Sequence, residues 1–143
     1  MTDVTLSPHF KLSEFTRSRT AEINYIKNTP PPSAVAALTI LCANILEPAR
    51  QEMGEPIVIT SGYRNKRLNK LVGGVHNSQH TAGEAADIHV PSADYANRLC
   101  DILKKNPHVD QLLFEHIGST VWIHVSCATR WKPRNMIRLN YKP

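Results

Sequence analysis

Residues 111–127, QLLFEHIGSTVWIHVSC, hold two apolar-rich runs separated by Gly-Ser-Thr. A three-residue connection containing glycine turns the chain straight back on itself, so 111–117 and 121–127 read as a β-hairpin. The strand period of two sorts the second run: Val121, Ile123, Val125 and Cys127 share one face, and Trp122, His124 and Ser126 the other. The first set calls for a core, and His124 projects from the polar side. Residues 85–90 alternate in the same way, with Ala85, Asp87 and His89 on one face and Ala86, Ile88 and Val90 on the other.

Helical signals lie between and before these strands. After the loop NTPPPS, Ser33 is placed to cap a helix over 33–53, in which Val35, Leu38, Cys42, Ile45, Ala49 and Met53 recur at three- and four-residue steps. Gly54 should end it, and Pro48 should kink or break it. PIVIT (56–60) is a short strand candidate, and SGYRN leads through a turn into a brief helix over 66–71. Residues 92–105 form a further helix, with Tyr95, Leu99 and Ile102 on one side and Lys104 and Lys105 in its last turn.

A chain of 143 residues with 41% hydrophobic content suits one domain, 1–143, with a substantial core. No run approaches the roughly 18 apolar residues of a membrane span, and MTDVTLSPHF lacks the basic and apolar regions of a signal peptide, so synthesis in the cytoplasm is expected. Cys42, Cys100 and Cys127 are odd in number, far apart and in apolar contexts, which favours reduced, buried thiols over disulfides or a paired-cysteine metal site. The net charge of +5 is local: residues 1–129 hold 12 basic and 12 acidic side chains, whereas 130–143 hold five basic and none acidic. That tail, RWKPRNMIRLNYKP, interleaves Arg130, Lys132, Arg134, Arg138 and Lys142 with Trp131 and Tyr141. Such a composition suits an anionic polymer, but the run is short and broken by Pro133, and a solvated terminal segment with its aromatics packed down is the simpler expectation, with no nucleic acid as partner.

SQHTAGEAADIHV (78–90) carries the chemistry. Asp87 and His124 can point from one sheet face, with His80 delivered by the turn before Asp87. Singly, each has an ordinary role, a strand histidine being most often just a hydrogen-bonded side chain. Together they compose an open zinc site, three nitrogen or oxygen ligands with a fourth position left for water. Gly83 permits the tight turn, and Ala85 and Ala86 allow close packing around the metal. His89 shares the face of Asp87 but sits roughly 7 Å further along the strand, outside the ligand set. His76, in a glycine-rich loop, either lines a cleft or is merely exposed.

SQHTAGEAADI followed by WIHVS resembles the M15 family of zinc-dependent D-alanyl-D-alanine carboxypeptidases, whose pattern is Ser-x-His-x-x-Gly-x-Ala-x-Asp with a later Trp/His-x-His. The resemblance extends to FKLSEFTRS (10–18), LEPAR (46–50) and ITSGYRNKRLNKLVGG (59–74), and so covers nearly all of the chain up to Cys127. It implies His80, Asp87 and His124 as zinc ligands. It also implies an α+β fold, an antiparallel β-sheet with helices packed on one face, of the kind shared with the signalling domain of hedgehog proteins. The general base departs from the commonest family pattern, because the position three before the last histidine is Val121, which reads as core-facing. Glu115 on the preceding strand is the available carboxylate, and branches of the family with a longer interval resemble this arrangement; His116 would point to the opposite face. Arg64 in SGYR can clamp a peptide carboxylate with two hydrogen bonds or polarise the scissile carbonyl, and the same resemblance implies substrate binding for it, the alternative being a salt bridge or turn anchor. Ser78 lies near substrate or caps backbone amides. Trp122, where some relatives have a second histidine, forms a pocket wall or packs on the sheet.

The expected activity is therefore zinc-dependent hydrolysis of a peptide bond in bacterial peptidoglycan stem peptides by a monomer. Relatives divide between D-alanyl-D-alanine carboxypeptidases and L-alanyl-D-glutamate endopeptidases, and no residue here decides between them. The absence of a signal peptide and of a separate wall-binding module suits a phage lysis enzyme released to the wall through a holin pore. The alternative is a zinc-stabilised, non-catalytic binding module of the same fold, and the position of Glu115 discriminates between the two.

Overall fold

The computed structural model describes residues 3–139. A small antiparallel pair, β1 (Thr5–Ser7) and β2 (Phe10–Lys11), leads into two short helices, α1 (Leu12–Thr16) and α2 (Arg19–Ile23). A long helical run follows as α3 (Pro32–Leu41), a π-turn (Cys42–Leu46) and α4 (Glu47–Met53). Next come β3 (Ile59–Ser61), α5 (Lys66–Leu71), a 3-10 turn (Gln79–Ala82), β4 (Ala85–His89) and α6 (Ala93–Leu103). The chain closes with β5 (Val109–Ile117), β6 (Thr120–Cys127) and β7 (Met136–Arg138).

The five-stranded sheet has the order β3-β4-β6-β5-β7. Its first four strands pair antiparallel, as the α+β expectation required, and β7 adds a parallel edge that the tail composition did not suggest. The β5–β6 connection is tighter than Gly-Ser-Thr, because Thr120 already pairs with Ile117 and leaves only Gly118 and Ser119 in the turn. Gly118 stands at φ +58°, the backbone that the first central position of such a two-residue turn demands.

One sheet face and the long helical run form the core: Leu38, Leu41 and Ile45 meet Ile88, Ile123 and Val125, all at 0% exposure. Burying each such side chain contributes about 1.5–3 kcal/mol, and truncating one, as in Leu38→Ala, costs about 2–5 kcal/mol. The other sheet face is left for the site. Over Pro32–Met53 the run is long and apolar enough by length and composition to cross a bilayer, which the sequence count missed, yet its apolar stripe is spent on this core.

Two expectations about that run need correction. Pro31, not Ser33, is the N-cap, because Pro32 at the first helical position brings a preset φ and no orphan N–H. Pro48 does not break the helix. The Glu47 N–H reaches back five residues to the Cys42 carbonyl, and the Asn44 carbonyl, four residues before Pro48, accepts a 2.8 Å bond from Asn106 Nδ2. Gly54 ends the run in the left-handed conformation, as expected. β3 covers Ile59–Ser61 rather than 56–60, and its pairing with β4 shifts register between Ile59 and Ser61.

Candidate metal centre and its cleft

Strand register brings the chemistry together. Asp87 on β4 lies directly opposite His124 on β6, and His124 lies opposite Leu113 on β5, which leaves Glu115 opposite Trp122 one pair further along. These side chains leave the sheet on the face away from the helices. His80 comes from the 3-10 turn, which Ser78 caps by accepting the His80 N–H at 3.2 Å on its hydroxyl oxygen. Gly83 ends that turn at φ +75°, and a Cβ there would stand 2.4 Å from the Ala34 carbonyl oxygen, so no other residue fits.

His80 Nε2 lies 3.3 Å from Asp87 Oδ1, and His124 Nδ1 lies 3.0 Å from the same oxygen. The three ligand atoms all fall within 4.8 Å of one another. Tetrahedral zinc with bonds of about 2.0–2.1 Å holds its ligand atoms roughly 3.3 Å apart, so these edges fit such an ion. Hydrogen bonding supports the fit independently. His80 Nδ1 sits 2.7 Å from the Gly62 carbonyl, which can only accept, so Nδ1 carries a proton and Nε2 is the ring atom turned toward Asp87. That leaves Nε2 and the Asp87 oxygen 3.3 Å apart, a spacing that a metal ion can bridge. Burial opposes ionisation of Asp87, but hydrogen bonds and charge from His124 and His80 outweigh it and hold the carboxyl below its ordinary range.

Around this trio runs a cleft of about 560 Å³, which Arg64, Ser78, Glu115 and Trp122 line. Glu115 is 40% exposed, with Oε1 4.0 Å from His124 Nδ1. The Arg64 backbone N–H donates to the His80 carbonyl at 3.0 Å, which ties the Ser61–Arg64 segment to the ligand turn. Its Nε is buried without a hydrogen-bond partner among the described residues, and desolvation lowers the guanidinium pKa against the opposing charges of Asp87 and Glu115. No salt bridge anchors Arg64 among those residues. Trp122 is half-buried on the cleft wall. His89 and His116 are exposed and outside the trio, and His76 lines a separate hollow with Lys66 and Lys70.

The tail departs from expectation in part. The segment is exposed, as expected, but it is not free: Arg130 pairs with Glu84, and Arg134 pairs with Asp110 at 2.6 Å, both carboxylates being fully buried. Trp131 is not packed down. It is 42% exposed, takes the guanidiniums of Arg130 and Arg134 over its ring at 4.7 and 5.2 Å, and donates Nε1–H to Asp110 at 3.2 Å. Gln79 donates to Asp110 at 3.0 Å, so this strap braces the residue next to His80. Trp131 and Arg134 also line the cleft. Sequence reasoning missed Gln79, Glu84 and Asp110; the one signal was the run of five cations without an acid of its own, two of which are claimed by carboxylates upstream. Tyr141 and Lys142 lie outside the described residues.

A search of curated proteins finds no match. The family model for peptidase M15 matches residues 8–126, taking in every ligand of the trio, Arg64 and Glu115. His80, Asp87 and His124 are placed so that they could hold a metal ion, and the chain belongs to the M15 peptidase family, with the α+β fold of that family and the metallopeptidase activity it supports.

Proposed function

We propose that this protein is a zinc-dependent peptidase of bacterial peptidoglycan stem peptides. The observation that carries the reading is Glu115: a partly exposed carboxylate on the open side of the trio, 4.0 Å from a ligand nitrogen. A bound zinc ion supplies a Lewis acid and an acidified water at neutral pH. His80, Asp87 and His124 hold the ion, with Gly62 fixing the His80 tautomer. Glu115 takes a proton from the attacking water and returns it to the leaving amine. Arg64, desolvated and without a carboxylate of its own, grips a carboxylate or carbonyl of the peptide. Trp122 forms the wall opposite, and Ser78 acts first by fixing the turn that presents His80.

The bond cleaved is either L-alanyl-D-glutamate or terminal D-alanyl-D-alanine, and a phage lysis enzyme, monomeric and released to the wall after cytoplasmic synthesis, is the setting this reading favours. Two of the five tail cations are engaged by Glu84 and Asp110, which removes much of the case for nucleic acid. Mass spectrometry of purified peptidoglycan after incubation with the zinc-loaded protein tests the proposal. New termini that appear with the wild type and fall by about 10²–10⁴ with Glu115→Gln name the bond and the base. Intact peptidoglycan after incubation with folded, zinc-loaded wild type would overturn it in favour of a metal-stabilised binding module.

A further inference from the structure

A second hollow, of about 350 Å³, adjoins the metal cleft and shares Arg64, Val72 and Asp87 with it. Arg17, Arg19 and Arg64 line it together with the hydroxyl-bearing Thr20, Thr60 and Ser61. Its one carboxylate, Asp87, is already engaged by two histidines. Arg98 pairs with Glu55 and Asp94, Arg130 with Glu84 and Arg134 with Asp110; Arg50, Arg67 and Arg138 form no ion pair among the described residues, but none of them lines this hollow. Among the described residues, Arg17, Arg19 and Arg64 form no ion pair. Three arginines without an ion pair, of which Arg64 alone feels the charges of Asp87 and Glu115, line one hollow beside hydroxyl-bearing residues and make a surface complementary to an anion. The planar fork of arginine matches a carboxylate in particular.

Continuity decides which anion. Arg64 and Asp87 belong to both hollows, so a group lying in the second one is part of the chain whose scissile bond lies at the metal. We propose that this arginine hollow is a second subsite, holding a carboxylate of the peptide substrate away from the scissile bond, so that the enzyme selects acidic peptides. The inference rests on the peptidase reading above. Arg17 and Arg19 are exposed, which limits each contact to the modest strength of a solvent-screened pair. Together they are expected to favour an acidic peptide over its carboxamide by about tenfold in Kd.

The test is calorimetric binding of a synthetic stem pentapeptide, and of the same peptide with all its carboxylates amidated, to the zinc-loaded full chain carrying Glu115→Gln to arrest turnover. The acidic peptide should bind about tenfold more tightly, and adding Arg17→Gln and Arg19→Gln should collapse the difference. Arg17→Lys with Arg19→Lys should restore part of it, and Lys104→Gln with Lys105→Gln just past the end of α6 should leave it intact, which separates the hollow from net charge. Equal binding of the two peptides, or a preference that survives loss of both arginines, overturns the subsite. Hydrolysis by the wild type is read separately: a binding preference without cleavage of either peptide would sink the peptidase reading and leave the subsite standing.

Discussion

Arg134→Met removes one cation from the strap and keeps most of its aliphatic stem. Asp110 is fully buried and accepts from Arg134 Nη2 at 2.6 Å, from Arg134 Nε and backbone N–H at 2.9 Å each, from Gln79 at 3.0 Å and from Trp131 at 3.2 Å. Breaking a buried ion pair from one side costs about 3–5 kcal/mol. Here Arg134 is 44% exposed, so solvent already screens it, and three neutral donors stay on the carboxylate; about 2 kcal/mol is the expected loss. For a chain of 143 residues each kcal/mol shifts Tm by about 3 °C, which gives a fall of about 6 °C in a thermal melt at pH 7. Acid supplies the sharper test. Burial raises the Asp110 pKa, but its bonds to Arg134 and Trp131 outweigh that and hold it at about 2, below the unfolded value. Its stabilisation is therefore complete above about pH 4 and lost as pH falls through about 2. Without the guanidinium the carboxyl pKa rises, the group is protonated by pH 3, and the burial penalty disappears. The Tm gap between variant and wild type should narrow at pH 3. A gap under about 2 °C at pH 7, or one of equal size at both pH values, would refute the reasoning.

Zinc added to chelator-stripped protein at a hundred times its Kd should stabilise the fold by about 2.7 kcal/mol and raise Tm by about 8 °C, and His80→Ala should abolish the rise. Gly83→Ala forces a left-handed backbone and sets a methyl against the Ala34 carbonyl, so a loss of more than about 2 kcal/mol and weaker zinc binding by calorimetry are expected; an unchanged melt would show that the turn does not need glycine. Burial pushes the Cys100 thiol up to about 11 and Cys127 up to about 12, and raises Cys42 as well, so a thiol reagent at pH 8 should label none of the three until the protein is unfolded.

Strand alternation made the centre legible. His124 and Asp87 could be placed on one face by counting in twos, and the register sets them directly opposite each other. The hairpin, α5 and α6 were equally visible, because each carries its own periodicity and its own turn or cap residues. What stayed hidden was long-range. No local pattern in Asp110 or Glu84 announces that residues 129–134 will seal them, since an ion pair between positions 24 or 46 residues apart leaves no periodic trace. The π-turn had left one. The apolar stripe from Leu38 to Met53 takes 15 residues over four turns, where a regular helix would drift by about 60°, and the wide turn at Cys42–Leu46 absorbs that surplus.

The strap has a further consequence for how such a protein can change. The trio, Arg64 and Glu115 all fall within the stretch that matches the family, whereas Trp131 and Arg134 lie beyond residue 126 and still form part of the cleft. Part of the cleft's lining thus comes from outside the stretch that carries the trio. Substitutions at Trp131 can remodel the mouth of the cleft while the ligands keep their places, provided that Asp110 retains a cationic partner. On the peptidase reading the segment is a replaceable rim, where the shape of the cleft can change while the three metal-site residues stay as they are.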